Sequence, residues 1–363
     1  MQPKERLLAA LSGREIDRLP WSPFLAYYWE DQPAAVQKRG QLAFLQELGA
    51  DPLLRGSHVL HHVQENGFTI RTEQSGNERL TVYETPVGNL RLRHVYSPAG
   101  NTWFLVEHPV RSIEDFRLLG WIFEHLSVTP NLGEFETDAR RFGQDALCVP
   151  VIGADCKTCF QSMVERWVGT VELAYAVADF PKVVEETLQS MLNVSLQTVD
   201  IAMQSSAEAF IFWEDSSTTN ISPAMFERYV APEINAWGRR IHADGRYLIH
   251  HACGHLHDLI PLMAKTEIDM IESISPPPTG NIELWQARAI LPDHIGLCGG
   301  IEPTVFLNSS IDDLEIYVND LIKRMGNNRF ILANSDSCPP GVAIEKFKRV
   351  TRLVQGGSGG PSA

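Results

Sequence analysis

Three histidines and a cysteine fall within six residues at His250-His251-Ala252-Cys253-Gly254-His255. They follow Tyr247-Leu248-Ile249, an apolar run that reads as a short buried strand. Along a strand, residues i and i+2 share a face, so the His251 imidazole and the Cys253 sulfur stand side by side. Gly254 then permits a sharp turn or a close approach. A His-x-Cys pair at a strand end is half of a metal site. Cys338, in Asn334-Ser-Asp-Ser-Cys338-Pro-Pro-Gly341, is the best candidate for the other half. It stands 85 residues beyond Cys253, too far for a zinc finger but natural for a site assembled from distant strand ends. Two thiolates and one neutral imidazole cancel the charge of a zinc ion. Three protein ligands leave a position open, which is the catalytic pattern. Glu214, beside Asp215 just after Ala209-Phe-Ile-Phe-Trp213, could fill that position reversibly. The bland alternative is two separately buried cysteines and a packed histidine.

Other candidates are weaker. Cys156-Lys-Thr-Cys159 has CxxC spacing but no second pair to complete a structural zinc site, so it reads as structural or cavity-lining. Cys298 reads as a small core residue. His61-His62 could face the site, although solvated loop histidines are commoner. Gly299-Gly300 reads as a tight turn before it reads as a phosphate loop. There is no P-loop pattern, and G-x-S-x-G occurs only in the Gly/Ser tail at 356–360, where no strand precedes it. Tyr27-Tyr28-Trp29, just past a strand end, are either core rings or, with Trp213, a wall for an apolar or planar ligand.

The elements that must position these groups alternate. Strands are expected at about 19–24, 52–54, 146–152, 209–213, 247–251, 269–273, 295–299 and 330–334, mostly separated by helices. Eight strands in this rhythm predict a (β/α)8 barrel, with functional groups at the C-terminal strand ends. A doubly wound sheet is the alternative, but the Gly-rich loop after its first strand is missing. Residues 66–110 alternate apolar and polar between Ser75-Gly76-Asn77, Gly88-Asn89 and Gly100-Asn101, which predicts an insertion of antiparallel hairpins. The expected organisation is one barrel domain over 1–355 with that insertion, then a flexible Gly/Ser tail at 356–363.

The 363 residues are 44% hydrophobic and 21% charged, ordinary for a globular chain. A formal net charge of −14 argues against nucleic acid and anionic membranes as partners. No apolar run approaches the roughly 20 residues of a membrane span. The N-terminus is a polar helix start without a signal-peptide core, so a cytoplasmic location is expected. Six cysteines are too sparse for a disulfide framework.

Lys4-Glu-Arg-Leu-Leu-Ala-Ala-Leu-Ser-Gly-Arg-Glu-Ile-Asp-Arg-Leu-Pro20, Leu48-Gly-Ala-Asp51, Tyr83-Glu-Thr-Pro-Val-Gly88, Ile249-His-His-Ala-Cys-Gly254 and Gly299-Gly-Ile-Glu-Pro303 resemble the uroporphyrinogen decarboxylase superfamily. The resemblance implies a (β/α)8 barrel and one of two activities: metal-free decarboxylation, or zinc-dependent methyl transfer involving a corrinoid. The decarboxylases carry an Arg-Gln-Ala-Gly-Arg run after their first strand; here Leu25-Ala-Tyr-Tyr-Trp-Glu-Asp31 stands there, aromatic and acidic. The methyltransferases' zinc ligands match His251, Cys253 and Cys338, with Glu214 carried over as the fourth. The branch implied is therefore a zinc enzyme that moves a methyl group from a small methylated substrate to a corrinoid (cobalamin) on a partner protein. The aromatic residues tilt the substrate toward a methoxylated aromatic. A methylcobamide:thiol methyltransferase and a metal-free decarboxylase-like lyase are the alternatives. A homodimer is left open.

Overall fold

The computed structural model describes residues 1–98 and 102–356. Its core is a curled parallel sheet of seven strands: β1 (Leu53–Val59), β2 (Leu147–Val151), β3 (Ala209–Glu214), β4 (Tyr247–Ala252), β5 (Met270–Ile274), β6 (Gly296–Ile301) and β7 (Phe330–Asn334). Spatial order equals chain order, and every neighbouring pair is parallel. Each strand is reached from the last through at least one helix. This is the α/β rhythm expected.

The strand expected at 19–24 is reduced to one bridge, Trp21 to Leu332 of β7. Pro20 and Pro23 bracket it and have no N–H to give a ladder, which limits the pairing to a single rung. The rung is nevertheless bonded on both sides. Ser22 N donates to Leu332 O (2.9 Å) and Leu332 N to Pro20 O (2.9 Å), while Asp51 N, just before β1, donates to Trp21 O (2.7 Å). β1 itself outruns the expected 52–54, passing through Gly56 at φ +61°.

Alternate strand residues face opposite ways. Leu147, Val149, Val151, Ala209, Ile211 and Ile249 form an inner cluster with Leu7 and Leu11 of the helix Pro3–Ser12. That helix lies at the N-terminal ends of the strands: Lys4 N bonds Gln144 O (3.1 Å), and the Arg329 guanidinium reaches Ser12 O (2.8 Å). The outer set, including Phe210, Phe212, Leu248 and Leu332, packs under the helices. Each such side chain contributes roughly 1.5–3 kcal/mol by leaving water. With one end of the sheet covered, the C-terminal strand ends are left for a site.

Residues 69–107 form a four-stranded antiparallel sheet: Thr69–Ser75, Glu78–Thr85, Gly88–Ser97 and Thr102–Glu107. Its first turn is Gly76-Asn77, as read. The second lies at Pro86-Val87, because Gly88-Asn89 already pair with Thr85 and Glu84. Gly100-Asn101 lies outside the described residues. Tyr83, Leu90 and Leu92 are the buried face. The helical stretch that follows β2 is interrupted by a π turn at Met163–Trp167 and by Gly169 at φ +89°. Of the tail, only Gly356 is among the described residues. Among the described residues, no helix is long and apolar enough to cross a membrane.

Candidate active site

β3 and β4 pair with His250 opposite Phe212 and His251 opposite Trp213. The alternation sends the two histidines to opposite faces. His250 goes outward, stacks on Phe212 (4.2 Å between centroids) and meets Glu214 Oε2 through Nε2 (3.1 Å). His251 goes inward, stacks on Trp213 (5.1 Å) and meets the Phe24 ring at an edge (5.6 Å). Beyond the strand, Cys253 N bonds Glu214 O (3.2 Å), and Gly254 turns at φ +91°. A Cβ at 254 would come within 2.6 Å of Ser217 and 2.9 Å of Asp215, so the close approach read at this glycine is required.

A cavity of about 490 Å³ opens at these strand ends, walled by His251, Cys253, Trp213, Glu214, Asp215 and Tyr27, with Lys157, Glu165, Thr279, Pro303, Asp336 and Ser337. A second chamber of about 330 Å³ adjoins it and shares Tyr27, Trp213 and Ser337; Phe24, Leu25 and Arg55 line its far side. The first chamber is acidic: four carboxylates face one lysine, and Lys157 is already paired with Glu165. Burial, with Asp336, Asp215 and Glu165 nearby, pushes the Cys253 thiol far up. Burial, joined by Glu165 and Asp336 and opposed by the Asn220 hydrogen bond, also raises Asp215. The field that disfavours a thiolate there is one that would favour a cation.

Glu214 is fully engaged. Oε1 accepts from Thr158 N (3.0 Å) and Thr158 Oγ1 (2.6 Å); Oε2 accepts from Ser216 Oγ (2.9 Å) and lies against His250. Burial would raise its pKa, but His250 and Thr158 outweigh that and hold it below the usual carboxylate range.

Of the expected residues, His251, Cys253, Glu214, Asp215, Trp213 and Tyr27 come together. Cys338 does not line the cavity, although its neighbour Ser337 does; its thiol is fully buried in the outer core, and burial pushes it far up. Its backbone ties the loop after β7 to the first segment, through Cys338 N to Phe24 O (2.9 Å) and Tyr28 N to Cys338 O (2.8 Å). Tyr28 and Trp29 also lie away from the cavity. Residues 26–30 form a helical turn, which points consecutive side chains about 100° apart. Tyr28 packs on Phe347 (5.0 Å) and Trp29 on Phe44 (5.7 Å).

Cys298 is the buried small residue expected. Cys159 is buried against Glu233, to which it donates (3.2 Å). His61 is buried in an antiparallel pair with residues 126–130 and His62 is exposed; neither lines the cavity.

Two residues beneath the cavity were not anticipated. His251 Nδ1 lies 3.0 Å from Glu272 Oε2, and Glu272 Oε1 is held by Arg55 inside the sheet. A charged residue at an inward position of an apolar strand, as in Met270-Ile-Glu-Ser-Ile274, is the signal that could have found Glu272. Burial would raise the Glu272 carboxyl, but Arg55 and His251 bring it down to about 2.

The donors fit a thiophilic dication by type. His251 has one nitrogen tied to a carboxylate and the other, Nε2, 4.0 Å from Asp336 Oδ1 on the cavity wall; Cys253 shares that wall. They are not a finished cage: among the described residues no three His, Cys, Asp or Glu side chains converge as one.

The family model for uroporphyrinogen decarboxylase (URO-D) matches residues 107–356, and the chain belongs to that family. The match begins where the four-stranded sheet ends. The uroporphyrinogen decarboxylase of Synechococcus sp. (strain CC9902) is 24% identical over 245 residues, covering 65% of this chain and 66% of that protein. That of Parasynechococcus marenigrum (strain WH8102) is 23% identical over 134 residues, 36% of each. The chain thus spans less than two thirds of these relatives' length. Among solved structures, a methyltransferase from Methanosarcina mazei superposes with a TM-score of 0.63 over 98% of this chain and 99% of that one, at 12% identity. At that identity the likeness is one of fold.

Proposed function

We propose that the chain is a zinc-dependent methyltransferase, which passes the methyl group of a small methylated substrate to the cobalt of a corrinoid on a separate protein. The observation that carries this reading is the His251-x-Cys253 pair at the end of β4, facing a cavity, with the second ring nitrogen of His251 tied to a buried carboxylate. His251 and Cys253 would hold the zinc, with Cys338 as third ligand once its side chain leaves the core. Zinc, when bound, supplies a Lewis acid for the heteroatom from which the methyl departs. Trp213 and Tyr27 wall both chambers and would seat the substrate, a methoxylated aromatic among them. Glu214, with its acceptor sites in use, is read as a positioning carboxylate. For the fold as a whole we take the (β/α)8 barrel, with the rung at 20–22 as eighth stave and the sheet at 69–107 as an insertion.

The acidic cavity weighs against the metal-free decarboxylase reading. A polycarboxylate substrate would meet Glu165, Glu214, Asp215 and Asp336 with a single, already paired lysine to receive it. The test is direct. Purified chain is expected to bind about one zinc, to lose it in Cys253→Ser and Cys338→Ser, and to methylate Co(I) cobalamin from a methoxylated aromatic. Rapid thioether formation from methylcobalamin and a thiol would select the methylcobamide:thiol alternative. No zinc together with uroporphyrinogen decarboxylation would overturn the reading.

A further inference from the structure

We infer that Glu272 and Arg55 are positioning residues that fix the tautomer of His251, so that Nε2 presents its lone pair to the cavity. The purpose of this device rests on the metal reading above; its geometry does not.

Glu272 faces the interior of the sheet from β5 and is 1% exposed. One of its oxygens is 3.0 Å from His251 Nδ1; the other meets Arg55 Nε and lies 3.4 Å from Cys298 Sγ. Arg55 is locked in turn, donating to Ser22 O (3.1 Å), Leu53 O (3.3 Å) and Cys298 Sγ (3.3 Å). Beside a fixed guanidinium the carboxylate stays ionised, and an ionised carboxylate only accepts. The proton between His251 and Glu272 therefore belongs on Nδ1. In the neutral ring Nε2 is then an acceptor, directed to the wall that carries Cys253 and Asp336. Trp213 stacks on the ring and Phe24 abuts it, so it cannot turn over to exchange its nitrogens.

Stability does not account for this pair. A buried ion pair costs more in desolvation than an apolar pair of equal volume, and apolar replacement is often neutral or stabilising. Around Arg55 and Glu272 the inner cluster is already apolar. What they add is orientation.

The test uses the full chain, metal-free, with 15N-labelled histidine, and compares the two ring nitrogens once the spectra show no further change with rising pH. The His251 resonances, assigned by their loss in His251→Gln, are expected to be pyrrole-like at Nδ1 and pyridine-like at Nε2. Glu272→Gln is expected to mix the two tautomers and to weaken Co(II) binding, followed by its absorption spectrum, by about 10–100-fold. The double variant Arg55→Met/Glu272→Met keeps the cavity filled. It is expected to melt near the wild-type temperature while still losing the fixed tautomer, which separates positioning from folding. A proton on Nε2 in the wild type, or an unchanged tautomer in both variants, overturns the proposal. A fixed Nδ1–H tautomer in a protein that transfers no methyl group upholds it and removes the methyltransferase reading instead.

Discussion

His250 Nε2 lies 3.1 Å from Glu214 Oε2, on the outer side of the strand whose inner side carries His251. The Glu214 carboxylate is thus spent on holding β3, β4 and the Thr158 turn together. Glu214→Ala would strand Thr158 N and Thr158 Oγ1 and leave His250 Nε2 with Ser216 Oγ alone (3.3 Å). It is expected to cost about 3–5 kcal/mol in urea denaturation while zinc stoichiometry holds. Because the folded-state pKa of Glu214 is depressed, its contribution is present above the ordinary carboxylate range and lost as pH falls through the folded value. The same sign holds for Glu272, whose contribution declines as pH falls below the ordinary carboxylate range and is gone by about pH 2. Wild-type stability should therefore decline progressively as pH falls below about 4.5. Zinc loss in Glu214→Ala without a change in stability would return Glu214 to the ligand set.

Glu233 has the opposite sign. It accepts from Cys159 N (2.7 Å) and Ser195 Oγ (2.5 Å) in full burial, and burial, only partly offset by those bonds, raises it to about 7. A carboxyl raised in the folded state contributes fully below its ordinary pKa, and that contribution is lost as pH rises through the folded value. Wild-type stability is expected to fall between pH 5 and pH 8 by roughly 3 kcal/mol relative to Glu233→Gln. Gln can keep the Cys159 N bond through its carbonyl and donate to Ser195 Oγ. Urea midpoints of the two proteins across that range check this; parallel curves would mean that Glu233 does not titrate there.

The legible part of the fold was the part written in local pattern. Alternation at 69–107 and apolar runs such as Ala209–Trp213 are set by neighbours a few residues apart, so they survive reading one stretch at a time. The site was legible only to the same depth. His251 and Cys253 announce each other at i and i+2. Arg55 and Glu272 are 217 residues apart and meet only because β1 and β5 face inward in one sheet. The first strand misled because Leu19-Pro-Trp-Ser-Pro-Phe24 is apolar enough for a strand, while its two prolines, plain in the sequence, decide how many rungs it can make.

The resembling N-terminal motif has a mechanical explanation with its own test. Asp51 is fully buried and accepts from Arg6, from Arg18 (2.7 and 2.9 Å) and from Trp21 N (3.1 Å). Arg6 also holds Asp17 (2.6 and 2.8 Å). The group pins the first helix and the Trp21 rung to the start of β1. Asp51→Ala leaves Arg18 without a carboxylate and Arg6 with Asp17 alone, and is expected to cost about 3–5 kcal/mol. It should also speed proteolysis of the first 25 residues before the rest unfolds; simultaneous cleavage throughout would show that the segment is not held separately.

Tyr27, Tyr28 and Trp29 give the sharpest separation of site from scaffold, because they are adjacent in sequence and differ only in direction. Tyr27 is 51% exposed and walls both chambers, whereas Tyr28 is 5% exposed between Phe44 and Phe347. Tyr28→Ala removes a packed ring and should cost about 3–5 kcal/mol. Tyr27→Ala should leave stability within about 0.5 kcal/mol, since it gives up little buried area. Its effect should fall on substrate, with KM rising several-fold and zinc content unchanged. Trp29→Ala, half-buried on Phe44, should sit between the two in stability and leave KM alone. If Tyr28→Ala or Trp29→Ala raises KM while Tyr27→Ala does not, the substrate lies on the other side of this helical turn, and the chamber shared by Tyr27 and Trp213 is not where it binds.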